Sequence, residues 1–184
     1  MSLKKIILLQ ILASILLSCS GTLFSLYNFD YPLTDETAYS TSTNIAVKIP
    51  QGWYSVEDNE CKCSVLWLVK NDLSASLIFN LITIDDETLK EISGSEVEKI
   101  SGYNKLFVKA KLGKSFDGFF DEEIFEINGK KFAAYQYKDN EKRNIRVVVF
   151  KHKEKFYELA ALQNGTTDPP ELYKTQNTIL TSIN

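Results

Sequence analysis

The stretch EIFEINGKKFAAYQY, residues 123–137, decides the fold. It places Asn128-Gly129 between two runs rich in apolar residues, Glu123–Ile127 and Lys131–Tyr137. Asn-Gly between such runs is the strongest short signal of a β-hairpin, because a type I′ turn requires positive φ at both central residues. The sequence therefore predicts two antiparallel strands joined at this turn.

The residues after the hairpin extend the sheet and then change to a helix. Asn144–Lys151 and Phe156–Leu162 are apolar runs bounded by polar turns, which predicts a third and a fourth strand of a meander. Asp168 is a residue type that caps helices, and Pro169-Pro170 suits a first helical turn, which needs no backbone N–H donors. A closing helix is therefore expected.

Strands are also expected in the first half of the domain. Ile45–Ile49, with a short continuation at Trp53–Val56, has the composition of a strand. Ser64–Val69 and Ala75–Ile84 flank a polar turn and predict a second hairpin.

A helical segment separates the two groups of strands. From Leu89 to Ala110 the apolar residues recur mostly every three or four positions, as on one side of an amphipathic helix. Ser93-Gly94 and Ser101-Gly102 weaken this pattern, so two shorter helices are the alternative. Segregated hairpins and helices predict an α+β domain, an antiparallel sheet flanked by helices.

This order of elements resembles the PsbP-like fold, a sandwich that includes DcrB-type bacterial lipoproteins. The resemblance covers most of the chain from Asn44 onward. It implies a non-enzymatic binding or assembly module and assigns no functional residue. Besides the closing helix, the segments that carry it are Ile49-Pro50-Gln51-Gly52-Trp53, Phe132–Tyr137 and Phe156–Ala161.

Residues 1–18 have the pattern of a bacterial export signal. Two lysines precede the apolar run Ile6–Leu17, whose twelve residues are fewer than the roughly 20 that cross a bilayer as a helix. Leu16-Leu17-Ser18-Cys19 resembles the lipobox of bacterial lipoproteins. That resemblance implies cleavage before Cys19 and lipidation of its thiol. An uncleaved anchor or an ordinary secretory signal is the alternative.

We therefore expect a signal peptide at residues 1–18, a lipidated Cys19 with a flexible, Ser- and Thr-rich tether at 19–43, and the α+β domain at 44–184. This organisation predicts a membrane-anchored protein of the bacterial cell envelope. Ser20 is not an obvious inner-membrane retention signal. The expected location in a Gram-negative cell is thus the outer membrane, facing the periplasm.

Composition and charge exclude several classes of function. The chain has 21 Lys and Arg against 24 Asp and Glu, so it lacks the basic excess typical of nucleic-acid binding. Its one histidine, His152, argues against most histidine-based catalysis and multi-histidine metal sites. His152 is expected in an exposed turn. We predict no catalytic, cofactor-binding or metal-binding residue.

Cys61-Lys62-Cys63 is the most distinctive pair of side chains in the predicted domain. Two cysteines in an exported protein suggest a disulfide, but residues i and i+2 of a strand are near the upper limit of Cα separation for one. The pair is structural or incidental in one interpretation and a loop disulfide in a second. Redox or metal chemistry is a third, which requires further ligands.

Other candidate motifs have ordinary structural explanations. Gly113-Lys114-Ser115 resembles the end of a phosphate-binding loop but lacks the glycine required five residues earlier. The acidic clusters Asp85-Asp86-Glu87 and Asp117 with Asp121-Glu122-Glu123 are expected to be, respectively, a helix cap and solvated surface. Phe119-Phe120 could line a groove for a hydrophobic partner.

Together these features predict a lipid-anchored, non-catalytic module that binds another envelope protein. A carrier of lipids or small hydrophobic ligands is the alternative, and a redox or hydrolytic enzyme is a third, less favoured hypothesis. A carrier requires an internal cavity, which only the structure reveals.

Overall fold

A computed structural model describes residues 29–56, 65–91 and 96–184, which form nine strands and three α-helices. The strands are β1 (Leu33–Tyr39), β2 (Ala46–Pro50), β3 (Trp53–Val56), β4 (Leu66–Lys70), β5 (Ala75–Ile82), β6 (Phe120–Ile127), β7 (Lys130–Lys138), β8 (Asn144–His152) and β9 (Lys155–Gln163). The helices are α1 (Asp86–Glu91), α2 (Glu96–Leu112) and α3 (Pro169–Thr181), and a 3₁₀ turn at Gly113–Ser115 follows α2.

Seven strands form one antiparallel sheet in the order β3-β4-β5-β9-β8-β7-β6. The β6–β7 hairpin turns at Asn128 and Gly129, with φ of 52° and 75°, so the predicted turn is confirmed. The helical segment between β5 and β6 takes the chain to the far edge of the sheet. The β6–β9 meander then returns it to β5, with which β9 pairs along its length.

The described parts of the helical segment are α1 and α2, and the suspected break at Ser93-Gly94 lies between them, outside the described residues. Asp85 caps α1, because its carboxylate accepts hydrogen bonds from the backbone N–H groups of Glu87 and Thr88 at 3.1 and 2.8 Å. The second suspected break, at Ser101-Gly102, does not occur, and both residues lie inside α2. Packing of Val97 and Ile100 of α2 into the core compensates for the low helix propensity of this pair.

Helices cover both faces of the large sheet. Val147 and Val149 of β8 belong to the core on the α2 face, whereas Val148 and Phe150 belong to the core on the α3 face. β8 is buried on both sides, which explains why its sequence is an almost continuous apolar run. Each fully buried side chain of this size contributes about 1.5–3 kcal/mol.

The first strand corrects the predicted tether. Leu33–Tyr39 pairs antiparallel with β2, with Ala38 opposite Val47, although the tether was expected to extend to residue 43. Ala38, Val47 and Ile49 all lie in the core on the α3 face. The folded part of the chain thus begins before Asn44, since burial in this core stabilises a strand whose own sequence alternates poorly.

Candidate functional site

A cluster of buried polar side chains joins β8 to α3. The Arg146 side chain is 1% exposed, and its guanidinium donates to three residues. Nη1 donates to Gln176 Oε1 at 2.6 Å and to Asn177 Oδ1 at 3.0 Å, and Nη2 donates to Glu123 Oε1 at 2.9 Å. The cluster therefore links β6, β8 and α3 through one cation.

Aromatic rings enclose the same guanidinium. Its Cζ lies 5.6 Å from the ring centre of Phe125 and 5.3 Å from that of Tyr173, both suitable for cation–π attraction. Tyr173 Oη donates to Gln136 Oε1 at 2.6 Å, and burial raises the pKa of Tyr173 to about 12. Because the Arg146 side chain is out of solvent and bonded to side chains of its own chain, it holds the fold together and is not placed to contact a ligand from solution.

A second polar cluster lies on the α2 face of the sheet. Asn104 Nδ2 donates to Tyr135 Oη at 3.0 Å and also to a carboxylate oxygen of Glu158. The other Glu158 oxygen accepts from Asn80 Nδ2 at 2.8 Å. Burial, followed by the nearby Glu158 charge, raises the pKa of Tyr135 above its ordinary value. This tyrosine therefore stays protonated and acts as a structural anchor for α2.

Two small grooves open on the described surface. One, of about 240 Å³, lies between α2 and the edge strand β6, and Glu98, Lys105 and Ile124 are among its lining residues. The other, of about 220 Å³, lies between the end of α2 and the β7–β8 turn. Both are smaller than the roughly 300–1,000 Å³ typical of small-molecule sites.

The predicted lipidation and disulfide residues lie outside the described part of the chain. Cys19 precedes residue 29, and Cys61 and Cys63 fall between residues 56 and 65. Lipidation and the disulfide therefore stay predictions. Within the described ranges, no group of three or more His, Cys, Asp or Glu side chains could hold a metal ion, and no helix is long and apolar enough to cross a membrane.

The prediction of an exposed turn for His152 is wrong. His152 is the last residue of β8, half-buried and paired with Lys155 across the hairpin. Its ring lies 6.4 Å from that of Tyr157, and burial, together with Lys153 and Lys130, lowers its pKa. The imidazole is thus neutral and packs at the end of the sheet.

The second acidic cluster is only partly the solvated surface that we expected. Asp117 Oδ2 is 2.7 Å from Lys142 Nζ, an exposed pair. Glu123, by contrast, has a side chain only 15% exposed and is the partner of buried Arg146. The four acids of the cluster bind four different side chains, so they do not converge on one site.

Phe119 and Phe120 do not form the predicted groove. Phe119 packs into the core on the α2 face, with its ring centre 5.2 Å from that of Tyr135. Phe120 is partly exposed at the start of β6, and neither phenylalanine lines either of the two grooves described above.

Sequence analysis missed the cluster around Arg146. A signal was available, because Arg146 is in phase with Val148 and Phe150 along a predicted strand and so has to face the same core. A charged residue at such a position needs partners on a facing element. Gln176 and Asn177, inside the predicted closing helix, were the available polar residues.

Comparison with known proteins adds information about the fold alone. No family model and no curated protein matches the sequence. The solution structure of cyanobacterial PsbP (CyanoP) from Synechocystis sp. PCC 6803 does match, with a TM-score of 0.57 over 91% of this chain and 98% of that chain. This chain has a PsbP-like fold. The predicted fold is thereby confirmed, and at 14% identity the PsbP-like likeness assigns no role to any residue.

Proposed function

We propose that the chain is a lipoprotein of the bacterial envelope whose PsbP-like domain binds or scaffolds another envelope protein without catalysing a reaction. The PsbP-like fold is the observation that carries this proposal, because it suggests a non-catalytic module. The lipobox-like Leu16-Leu17-Ser18-Cys19 supports the membrane anchor.

The organisation of the polar side chains agrees with a binding module. Glu123 and Arg146 bond to each other inside the fold, and Glu158 bonds to Asn80 and Asn104. These are the charged groups with the least solvent access among the clusters described above. They stabilise the sheet–helix interfaces, so the outer surfaces of the helices and of edge strand β6 are the parts of the domain available to a partner.

The carrier hypothesis has less support from the geometry. A carrier shields its ligand in a cavity of several hundred cubic ångströms. The interior of the described sandwich is instead filled by side chains such as Phe79, Val148 and Leu159, each with 0% exposure. The two described grooves are surface features of about 240 and 220 Å³.

Crosslinking in intact envelopes tests the proposal. The tagged wild-type chain is expected to recover a specific envelope protein, and Cys19→Ser, which loses the anchor, is expected to recover much less of it. Equal melting temperatures of the two proteins would exclude misfolding of the variant as the cause of the reduced recovery. Recovery of a bound lipid by native mass spectrometry, with no crosslinked protein, would support the carrier instead.

A further inference from the structure

One outer side of α2 carries apolar side chains that remain in solvent. Leu106 is 64% exposed and Phe107 is 54% exposed. Tyr103 packs its ring edge-on against Phe107, with the ring centres 4.9 Å apart. Positions 103, 106 and 107 have the three- and four-residue spacing of one helix face. We call these three side chains the α2 stripe.

The α2 stripe lies within a basic segment of the chain. Residues 99–116 contain five lysines and no acidic residue. Because the whole chain has 21 basic and 24 acidic side chains, the other 166 residues carry 16 basic against 24 acidic, a net charge of −8. The segment around the stripe thus has a net charge of +5, whereas the rest of the chain is acidic in sum; residues 142–153 form a second basic segment, with five basic residues and no acidic residue. The five lysines around the stripe are Lys99, Lys105, Lys109, Lys111 and Lys114. Lys105 pairs with Glu122, so the lysines that follow the stripe along the chain, Lys109, Lys111 and Lys114, are the ones that the proposal uses.

We propose that the α2 stripe and its lysines contact the surface of an anionic phospholipid bilayer. Exposed aromatic and aliphatic side chains on a lysine-rich helix suit the boundary between headgroups and acyl chains, while lysines pair with phosphate groups. The inference rests on the proposed function, because the lipid on Cys19 brings the domain to a membrane. It adds which side of the domain faces that membrane.

The length of the preceding chain permits this orientation. Asp30 is held on the opposite side of the sheet from α2, where its carboxylate lies 2.6 Å from Lys174 Nζ of α3. A sandwich of helix, sheet and helix is about 30 Å thick. The eleven residue steps from Cys19 to Asp30 span about 36–40 Å when extended. This maximum exceeds the thickness of the domain, a condition that a bilayer lying against α2 has to meet.

Lysine acylation of the lipidated full chain in vesicles tests this contact. The protein is reconstituted in phosphatidylcholine alone or in phosphatidylcholine with one quarter phosphatidylglycerol, and labelling rates are read by mass spectrometry. Acylation of Lys109, Lys111 and Lys114 is expected to be about fivefold slower in the anionic vesicles, the factor that corresponds to the attraction of one lysine to such a surface. The exposed Lys153, in the β8–β9 turn, and Lys155, the first residue of β9, are expected to be unaffected.

Two variants separate the apolar contribution from charge alone. The double variant Leu106→Ser, Phe107→Ser keeps the lysines and is expected to lose most of the protection. Leu73→Ser removes a leucine of similar exposure, 62%, from the β4–β5 turn. This control variant is expected to keep the protection of the lysines from acylation. Circular dichroism checks that the variants stay folded.

The outcomes distinguish the orientation from the anchor. Equal labelling in both vesicle types, with the protein floating in both, would overturn the inference and leave the anchor intact. Protection that occurs in native envelopes but in neither type of pure lipid vesicle would also overturn it, because a protein would then cover the stripe. Flotation only with anionic vesicles would instead contradict the lipid anchor while supporting the stripe.

Discussion

Replacing Arg146 with methionine should destabilise the domain more than any loss of surface charge. The substitution keeps an apolar side chain in the core but removes the donors to Glu123, Gln176 and Asn177. Removing one partner of a buried ion pair leaves the other without compensation, which costs about 3–5 kcal/mol. Since small domains have free energies of unfolding of about 5–15 kcal/mol, this is a large fraction of the total.

The matched control is Arg143→Met. Arg143 also pairs with a carboxylate, at 2.6 Å from Asp139, but its side chain is 37% exposed, so its pair is expected to contribute about 0–1 kcal/mol. Urea unfolding followed by tryptophan fluorescence, with Trp53 buried in the α3-face core, compares the two variants. Equal decreases in the free energy of unfolding of the two variants would refute the claim that the Arg146 cluster holds α3 to the sheet.

Three further predictions address a turn, a cap and a buried phenol. Gly129→Val places a branched side chain at φ of +75° and should lower the free energy of unfolding by about 1–2 kcal/mol. Gly102→Ala lies in a helix, with open space around the new Cβ, and should raise the free energy of unfolding by about 0.5–1 kcal/mol. Effects of the same sign for both variants in urea unfolding would contradict this expectation. The hydrogen bond from the backbone N–H of Thr88 lowers the pKa of the Asp85 carboxyl, so the cap stabilises the fold fully above about pH 4 and loses this contribution as the pH falls further. The melting temperature of Asp85→Ala should therefore depend less on pH below 4 than that of the wild type. A variant curve parallel to the wild-type curve would count against the cap. Burial raises the pKa of Tyr173 to about 12, so the contribution of the protonated phenol to stability is complete below pH 10 and disappears between about pH 10 and 12. Over that interval Tyr173→Phe should lose less free energy of unfolding than the wild type. An equal loss in both proteins would show that Tyr173 is not the source of the alkaline destabilisation.

The parts of the fold that sequence analysis predicted depend on local chemistry. The β6–β7 hairpin is specified by two residues, Asn128 and Gly129, whose backbone conformation few other pairs adopt. The start of α1 is likewise local, because Asp85 is a capping residue type placed directly before it. Such signals are contained within a few neighbouring positions, so they can be read without knowing what the segment packs against.

The features that sequence analysis missed depend on contacts between residues that are far apart in the sequence. β1 has the sequence LTDETAY, in which only Ala38 enters the core, and pairing with β2 is what orders it. The role of Glu123 depends on Arg146, 23 positions later, and on helix α3. The candidate binding stripe on α2 was also missed, since the same apolar spacing indicates core packing until the exposed residues are known.

The central claim, a lipid anchor on Cys19 attached to a PsbP-like binding module, is tested most directly by labelling cells with radioactive palmitate. The wild-type chain is expected to incorporate label and to lose residues 1–18, so that the mature protein begins at Cys19. Cys19→Ser is expected to remain unlabelled and unprocessed, while Cys61→Ser with Cys63→Ser is expected to behave as the wild type does. Normal processing and labelling of Cys19→Ser, or an unlabelled wild-type chain, would contradict the account.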